Sequence, residues 1–396
     1  MSIGSQFQTV IFDPTSGKIE AILPNQYIKS RVSLDRVAPP RPGVRFKFFY
    51  EKTGISLNKK DFIVHPQAGD RPPRLMSRDG SDPTLSIMRA AGRWFLAHYD
   101  KILFEFEGGM GDYMDQADAL IALQVEYPTK QFKVSLRPER FAALKYLKGF
   151  ETLKFHAPKQ KSSSRIPSIS FSSIGRMGGN YPPGGKVGVY SAIAGLTGPA
   201  KRAAVEVPGP LLDDMNTLIS NAIGRIPGHL IALHTMSGNT NTKSISPANA
   251  LDLIGPLLEN EDVYFLHLGG ADELLIDHPR VIPLQGLLTW QEVFCVLFWC
   301  NGCICIDSAI MHIAQHIKLP TVSLWGPTSP QVILDDPPGV TCVVSTMPCA
   351  GCGCYECDRG GCMTKFNKRS LNTKLLALLE VPHEKVLSSD RDPNGA

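Results

Sequence analysis

Residues 101–128, KILFEFEGGMGDYMDQADALIALQVEYP, carry the pattern that decides the fold. A run of bulky residues from Ile102 to Phe106 is typical of a buried parallel strand. A turn rich in glycine follows, and apolar residues then recur at helical spacing, at Met114, Ala117, Leu120, Ile121 and Leu123. Strand, glycine turn and helix in this order predict one repeat of an α/β domain with a parallel sheet.

The same alternation continues along the chain. Further strands are predicted over 132–136, near 153, and over 229–235, 263–270, 302–307 and 321–326; helices are predicted from about 138 and over 247–258, 289–298 and 308–317. Residues 156–186 lose this periodicity, and their Pro, Gly and Ser content predicts a long loop or linker.

Three regions follow from this pattern. Residues 1–95, rich in Pro, Arg and Lys, are predicted to form a small irregular or β-rich appendage. Residues 96–205 and 206–396 are predicted to form two α/β domains, the first including the linker. Ligands bind at the carboxyl edge of open parallel sheets, so a cleft between the two domains is the expected site.

Bulk properties exclude several classes of protein. The 396 residues have a net charge of +4, which tolerates an anionic ligand without indicating a nucleic-acid-binding protein. The amino terminus lacks the pattern of a signal peptide. The most apolar stretch, 293–306, is too short to span a bilayer. Ten cysteines without a secretory signal indicate reduced thiols, and we expect a cytoplasmic protein with no transmembrane segment.

Five of the cysteines lie within residues 347–363, MPCAGCGCYECDRGGCM: Cys349, Cys352, Cys354, Cys357 and Cys362. Sulfur ligands at this spacing converge on one tetrahedral centre, and four of the five suffice. A structural zinc is the simplest prediction, with iron or an iron–sulfur cluster as the alternative. The scattered cysteines at 295, 300, 303 and 305 fall within helix and strand patterns and are predicted to lie in the core.

Five short motifs occur in one order along the chain. They are GGMGD (108–112), NTKSISP (241–247), LGGADE (268–273), IDSAIMHIAQ (306–315) and SLWGPTSP (323–330). A single glycine turn does not identify a family. The five motifs together, however, resemble those of the ADP-heptose heptosyltransferases over about residues 101–330. That family has the GT-B glycosyltransferase fold, which implies two Rossmann-like domains facing a cleft. The chain is also loosely similar to autotransporter heptosyltransferases, in which cysteines ligate iron.

An inverting glycosyl transfer needs a carboxylate that accepts the proton of the acceptor hydroxyl. Asp112 stands where a strand ends and a helix begins, and the resemblance implies the same role as catalytic base. The alternative is that Asp112 only caps the helix that begins near Tyr113. The resemblance also assigns Lys243 to the diphosphate of the donor, although a loop lysine is often just a solvated charge.

The other predicted contacts surround the donor. Glu273 is a predicted ribose ligand, Asp307 either caps a helix or orients a sugar, and His312 is either a ligand or a core histidine. Ala309 stands where the family usually has Gly, which changes the backbone approach to phosphate. The full predicted substrate-binding set is Gly109, Met110, Gly111, Thr235, Lys243, Gly269, Gly270, Glu273, Asp307, Ser308, Ala309, His312, Gly326 and Thr328.

The resulting hypothesis is an inverting glycosyltransferase that moves a sugar, a heptose from ADP-heptose, to an acceptor hydroxyl without metal in the reaction. Two alternatives stay open: a nucleotide-sugar epimerase of GT-B shape, and a nucleic-acid-associated protein such as a DNA-modifying glycosyltransferase or a binding module. The acceptor is a glycan, a protein or a modified nucleic acid. Homo-oligomerisation is compatible with the sequence.

Overall fold

The structure is a computed structural model. It describes short strands within residues 9–77 and a few positions between 89 and 97. Beyond these it describes residues 99–156, 168–171, 185–224, 227–238, 241–334, 339–354, 357 and 361–380. The chain divides into two compact units. Unit 1 comprises Met1–Phe141 and Gly149–Arg202, and unit 2 comprises Ala142–Lys148 and Ala203–Ala396. The predicted metal-loop residues 355, 356 and 358–360 and most of the predicted linker lie outside the described residues.

The first 95 residues contribute strands to three sheets. An antiparallel sheet has the order β1-β2-β3, a further strand β4 joins the main sheet of unit 1, and β5 pairs with β6 as an antiparallel hairpin. Their bounds are Thr9–Asp13, Lys18–Ile22, Arg31–Leu34, Arg45–Lys47, Phe62–His65 and Arg74–Ser77.

Unit 1 is built on a five-stranded parallel sheet. Its strands besides β4 are β7 (Lys101–Glu105), β8 (Gln131–Ser135), β9 (Lys154–Phe155) and β10 (Ser168–Ser170), and its order is β4-β10-β7-β8-β9. Its helices include α1 (Met110–Glu126) and α3 (Gly185–Ala194), and helix α2 (Pro138–Leu144) begins in unit 1 and ends in the segment of the chain that belongs to unit 2. Helix α1 therefore begins three residues before Tyr113, and Asp112 lies inside its first turn.

Two elements lie in the stretch predicted as a loop. Strand β10 and the first residues of helix α3 fall within 156–186. Every residue of α3 except Lys186 is buried, so the helix has no polar face and shows no amphipathic period in the sequence. A three-residue strand is likewise too short to give a periodic signal.

Unit 2 is built on a six-stranded parallel sheet with the order β13-β12-β11-β14-β15-β16. In chain order, from β11 to β16, the strands are His229–His234, Val263–His267, Val281–Pro283, Gly302–Ile306, Thr321–Trp325 and Val340–Val344. The helices, from α4 to α9, are Gly209–Ile223, Pro247–Leu258, Trp290–Trp299, Ala309–His316, Pro330–Ile333 and Lys368–Leu376.

The core of unit 2 explains why its strands are continuously apolar. Strand β14 is buried along its whole length because helices cover both faces of a parallel sheet. Alternate residues such as Ile304 and Val322 join one cluster with residues of α5 and α9. The predicted core cysteines are confirmed: none of Cys295, Cys300, Cys303 and Cys305 is exposed. The α/β class with parallel sheets is thereby confirmed.

No helix in the described ranges has both the length and the apolar character that crossing a bilayer requires.

Candidate functional site

The glycine turn of unit 1 shapes the surroundings of Asp112. The Gly109 N–H donates to Asp112 Oδ2 over 2.9 Å and so closes the first turn of α1. Gly108 has a φ of +109°, and a Cβ added there would stand 2.4 Å from Asp112 Oδ2. Glycine at 108 therefore permits both the turn and the close approach of the carboxylate. Met110 and Gly111 are buried beneath it in the same helical turn.

The second oxygen of Asp112 has different partners. Lys186 Nζ lies 2.7 Å from Oδ1, and the Tyr190 hydroxyl donates to the same oxygen over 3.2 Å. The side chains of Lys186 and Asp112 are only 17% and 23% exposed, so this is a partly desolvated ion pair. Asp112 thus closes the first turn of α1 through one oxygen and forms an ion pair through the other, and the N-cap residue of the helix is Gly109 rather than Asp112.

Lys186 and Tyr190 are functional candidates that sequence reasoning missed. Both belong to helix α3, one turn apart, and lie 74 and 78 residues from Asp112. Lys186 is the only charged residue in a helix that is otherwise buried. The sequence offered one signal for this site, a single lysine within an apolar segment. A lysine side chain is rarely buried unless an opposite charge lies beside it.

A further cation supports the same turn. Arg140 Nη1 donates to the Gly108 carbonyl over 3.0 Å, and its guanidinium lies 4.8 Å from the centre of the Tyr113 ring. Burial raises the pKa of Tyr113, while Arg140 and Arg137 act in the opposite direction. Tyr113 is therefore a neutral platform beneath an arginine, at the edge of the sheet where Asp112 stands.

In unit 2, Lys243 and Asp307 form an ion pair at the carboxyl end of the sheet. Lys243 ends a short 3-10 turn, Asn241–Lys243, and Asp307 directly follows β14. Lys243 Nζ lies 3.2 Å from both the carboxylate Oδ2 and the backbone carbonyl oxygen of Asp307. Their side chains are 13% and 10% exposed, so Lys243 is not a freely solvated surface lysine.

Two buried hydroxyls stand at the same edge. Within the described part of the chain, Ser308 Oγ and Thr328 Oγ1 are buried without a hydrogen-bond partner. Ser308 is the N-cap residue of α7, and Thr328 follows β15, the neighbouring strand. A buried hydroxyl without a partner costs free energy, so such groups point to a ligand or water that completes them.

The helix that follows Ser308 carries two more predicted residues. Ala309 is its first residue, and the unpaired N–H groups of a helix start favour anions. His312 is 3% exposed, and its backbone carbonyl accepts a hydrogen bond from His316 Nδ1 over 2.7 Å. The structure thus places His312 inside the packed helix, one turn beyond the helix start.

Glu273 belongs to an internal network rather than to an open surface. Its Oε1 accepts from the backbone N–H and the hydroxyl of Thr235, at 3.2 and 2.8 Å, and lies 3.3 Å from His267 Nε2. On the other side of that ring, Gln285 contacts His267 Nδ1. Burial by itself would raise the pKa of Glu273. Hydrogen bonds from His267 and Thr235, together with the electrostatic effect of the nearby His234, outweigh burial and hold the pKa of Glu273 below its usual value. The ribose role of Glu273 stays a prediction.

This network fixes the loop that carries Gly269 and Gly270. The Gly270 carbonyl accepts from Glu273 N–H over 3.1 Å, and the Gly269 carbonyl accepts from Gly286 N–H over 2.9 Å. Burial lowers the pKa of the adjacent His234 to about 4, so its imidazole is neutral at pH 7.

Residues 347–363, here called the cysteine loop, follow β16. Among the described residues, no three His, Cys, Asp or Glu side chains are close enough to hold one metal ion. Burial raises the pKa of Cys362, and Cys349, Cys352 and Cys357 raise it further, so these three side chains lie within electrostatic reach of Cys362. The Cys354 N–H donates to Cys352 Sγ over 3.4 Å. The donor set therefore suits a thiophilic metal.

Comparison with known proteins supports the sequence motifs. Residues 273–362 match the family model of glycosyltransferase family 9 (heptosyltransferase). This segment contains Asp307, Ser308 and Thr328 and ends at Cys362. No curated protein sequence shows a significant match to the chain.

Three solved structures share the fold. The ADP-heptose lipopolysaccharide heptosyltransferase II of E. coli is 16% identical, with a TM-score of 0.52 over 71% of this chain and 98% of that one. A family 9 glycosyltransferase of Veillonella parvula is 13% identical, with a TM-score of 0.56 over 71% and 97%. TibC of enterotoxigenic E. coli, an iron-containing dodecameric glycosyltransferase, is 14% identical, with a TM-score of 0.53 over 71% and 76%.

TibC has also been solved in complex with ADP-D-β-D-heptose. Identities this low establish a shared fold, and the family match adds a similarity to family 9 glycosyltransferases over residues 273–362. The resemblance to heptosyltransferases drawn from the five sequence motifs is confirmed, with the family match over residues 273–362 and the GT-B fold shared with these solved structures.

Proposed function

We propose that the protein transfers a heptose from ADP-heptose to an acceptor hydroxyl with inversion at the anomeric carbon. The observation that carries the proposal is the carboxylate of Asp112. It stands at the carboxyl edge of a parallel sheet, with one oxygen held by the Gly109 N–H and the other by Lys186 and Tyr190. A carboxylate fixed by three donors is oriented for one defined proton transfer.

In the proposed reaction, Asp112 takes the proton of the acceptor hydroxyl as that oxygen attacks the anomeric carbon. The attack comes from the face opposite the diphosphate, the bond from the anomeric carbon to the diphosphate oxygen breaks, and its electron pair leaves with the nucleoside diphosphate. A single displacement of this kind inverts the configuration. The ammonium of Lys186 stabilises the carboxylate before transfer, and the Tyr190 hydroxyl fixes its rotation.

The departing diphosphate is assigned to unit 2. Lys243 supplies a cation, the start of α7 supplies backbone N–H groups, and Ser308 and Thr328 supply hydroxyls. Because these groups provide positive charge and hydrogen bonds, the proposed transfer needs no divalent ion. The ADP-heptose complex of TibC supports this choice of donor.

The experiment is a donor panel. The purified full-length chain is incubated with ADP-heptose and with ADP-, UDP- and GDP-hexoses, and the released nucleotide is identified by chromatography. We expect ADP to appear from ADP-heptose, faster with glycan, protein or nucleic-acid acceptors that are substrates, and the product anomer to be inverted by NMR. Interconversion of nucleotide sugars without an acceptor would support an epimerase instead.

We further propose that the cysteine loop holds one structural zinc or iron ion through four of its five thiolates. TibC is an iron-containing protein, which supports iron as one choice. Clustered thiols that bind a metal stay reduced, and this proposal therefore goes with a cytoplasmic, reducing environment for the protein. TibC is dodecameric, and we likewise propose that this protein forms a homo-oligomer.

Purified protein is expected to contain about one zinc or iron per chain, because closed thiolate sites bind tightly. Cys352→Ser should abolish the metal content, whereas Cys303→Ser, in the buried strand β14, should leave it unchanged. Elemental analysis of both variants and thermal unfolding with and without chelator are the measurements. A well-folded wild-type preparation without metal would exclude the site.

A further inference from the structure

We infer that the cysteine loop positions the diphosphate-binding lysine, so that the loop controls how tightly the diphosphate of the donor is held. The inference rests on the proposed role of Lys243 in binding that diphosphate. It gives the cysteine loop a part in donor binding beyond holding a metal. Two sets of contacts within unit 2 carry it.

The first set joins the cysteine loop to the turn Asn241–Lys243. Thr242, the residue before Lys243, donates through Oγ1 to the Cys354 carbonyl over 3.5 Å. In return, Cys362 Sγ donates to the Thr242 carbonyl over 3.8 Å. These contacts bridge 112 and 120 residues of sequence and hold Thr242 from both its side chain and its backbone.

The second set joins the loop to the turn that follows β15. The Gly351 N–H donates to the Gly326 carbonyl over 2.8 Å, and the Gly353 N–H donates to the Pro327 carbonyl over 2.7 Å. A Cβ added to Gly326 would stand 2.6 Å from Met363 Sδ and 2.9 Å from Cys362 Sγ. The loop is therefore packed directly on the segment that presents Thr328.

These contacts matter because the turn that carries Lys243 is short. A three-residue 3-10 turn has few hydrogen bonds of its own and depends on its neighbours for a fixed position. A shift of about 1 Å in a charged group weakens its pairing with a ligand. Cys362 is shared by both sets of contacts, so its removal loosens the support of Lys243 and of the Thr328 turn together.

The test compares ADP with adenosine by titration calorimetry on the full chain. Cys362→Ala is expected to weaken ADP binding by about 5- to 30-fold and to leave adenosine binding unchanged, because only ADP needs the aligned cation. In a Lys243→Ala background, the same Cys362→Ala change is expected to weaken ADP binding by less than it does in the wild type, because only the support of the Thr328 turn is left to lose. Cys342→Ala, a half-buried cysteine on β16, is the matched control and should bind both ligands as wild type does.

A second pair of variants distinguishes a local loss of ADP affinity from a general folding defect. Thr242→Val removes the hydroxyl with little change of shape, and Thr242→Ser keeps it. We expect selective loss of ADP affinity in the first and wild-type affinity in the second. Equal losses for ADP and adenosine, or additive losses in the Lys243→Ala background, would overturn the inference.

The two proposals fail separately. If Lys243→Ala leaves the difference between ADP and adenosine affinities unchanged, the assigned diphosphate role is wrong. If Lys243→Ala removes that difference but Cys362→Ala and Thr242→Val retain it, only the positioning role of the cysteine loop is wrong.

Discussion

Asp112→Asn is expected to slow sugar transfer by about 10²- to 10⁴-fold while leaving donor binding close to wild type. The loss corresponds to about 3–5 kcal/mol of transition-state stabilisation. The carboxamide keeps an oxygen for the Gly109 N–H, so the helix start is preserved, but it cannot accept the acceptor proton. Transfer rates at saturating donor and acceptor, compared with the donor Kd, measure the effect.

Asp100→Asn provides the matched control. Asp100 also pairs with a lysine, Lys130, over 3.2 Å, but its side chain is 92% exposed and precedes β7 rather than following it. Its loss should leave the transfer rate unchanged, because exposed ion pairs contribute little. Wild-type transfer by Asp112→Asn would show that Asp112 only closes the first turn of α1.

Lys243→Ala is expected to weaken ADP binding by about 10- to 100-fold and to spare adenosine. A hydrogen bond to a charged group contributes about 1.5–3 kcal/mol, which matches this range. Loss of the ammonium also leaves the diphosphate facing the Asp307 carboxylate, 3.2 Å from Lys243 Nζ in the wild type. Calorimetric titration with both ligands gives the two affinities.

Lys374→Ala tests whether the effect is specific to position. Lys374 also donates to a backbone carbonyl, that of Cys342, over 3.2 Å, but it belongs to helix α9. It should bind ADP and adenosine as wild type does. Equal losses of the two ligands in Lys243→Ala would instead assign Lys243 to support of the fold.

The α/β architecture was predictable because its signals are local. Strand β7 and helix α1 differ in hydrophobic period over fewer than 30 residues, and the glycine turn separates them. Strand β14 was visible as an unbroken apolar run. Helix α3 was missed because burial on every side erased its period, and β10 because three residues are too few to show one.

The chemistry of single positions was predictable in the same way. An acid directly after a glycine turn, and five thiols within 17 residues, are visible without coordinates. The predicted site residues Asp112, Lys243 and Ser308 follow strands, and the carboxyl ends of parallel strands share one edge in each sheet. Their assignment to a site rests on that topological rule.

The partners of these residues depended on packing between distant segments. The sequence by itself determined the order of strands and helices, the acid at position 112 and the clustered thiols. The tertiary structure decided that Lys186 and Tyr190 hold Asp112, that Asp307 pairs with Lys243, that Glu273 turns inward, and that the cysteine loop supports Thr242. Periodicity reports which face of an element is buried, whereas an ion pair depends on the distance between two side chains, which only the packed sheet and helices fix.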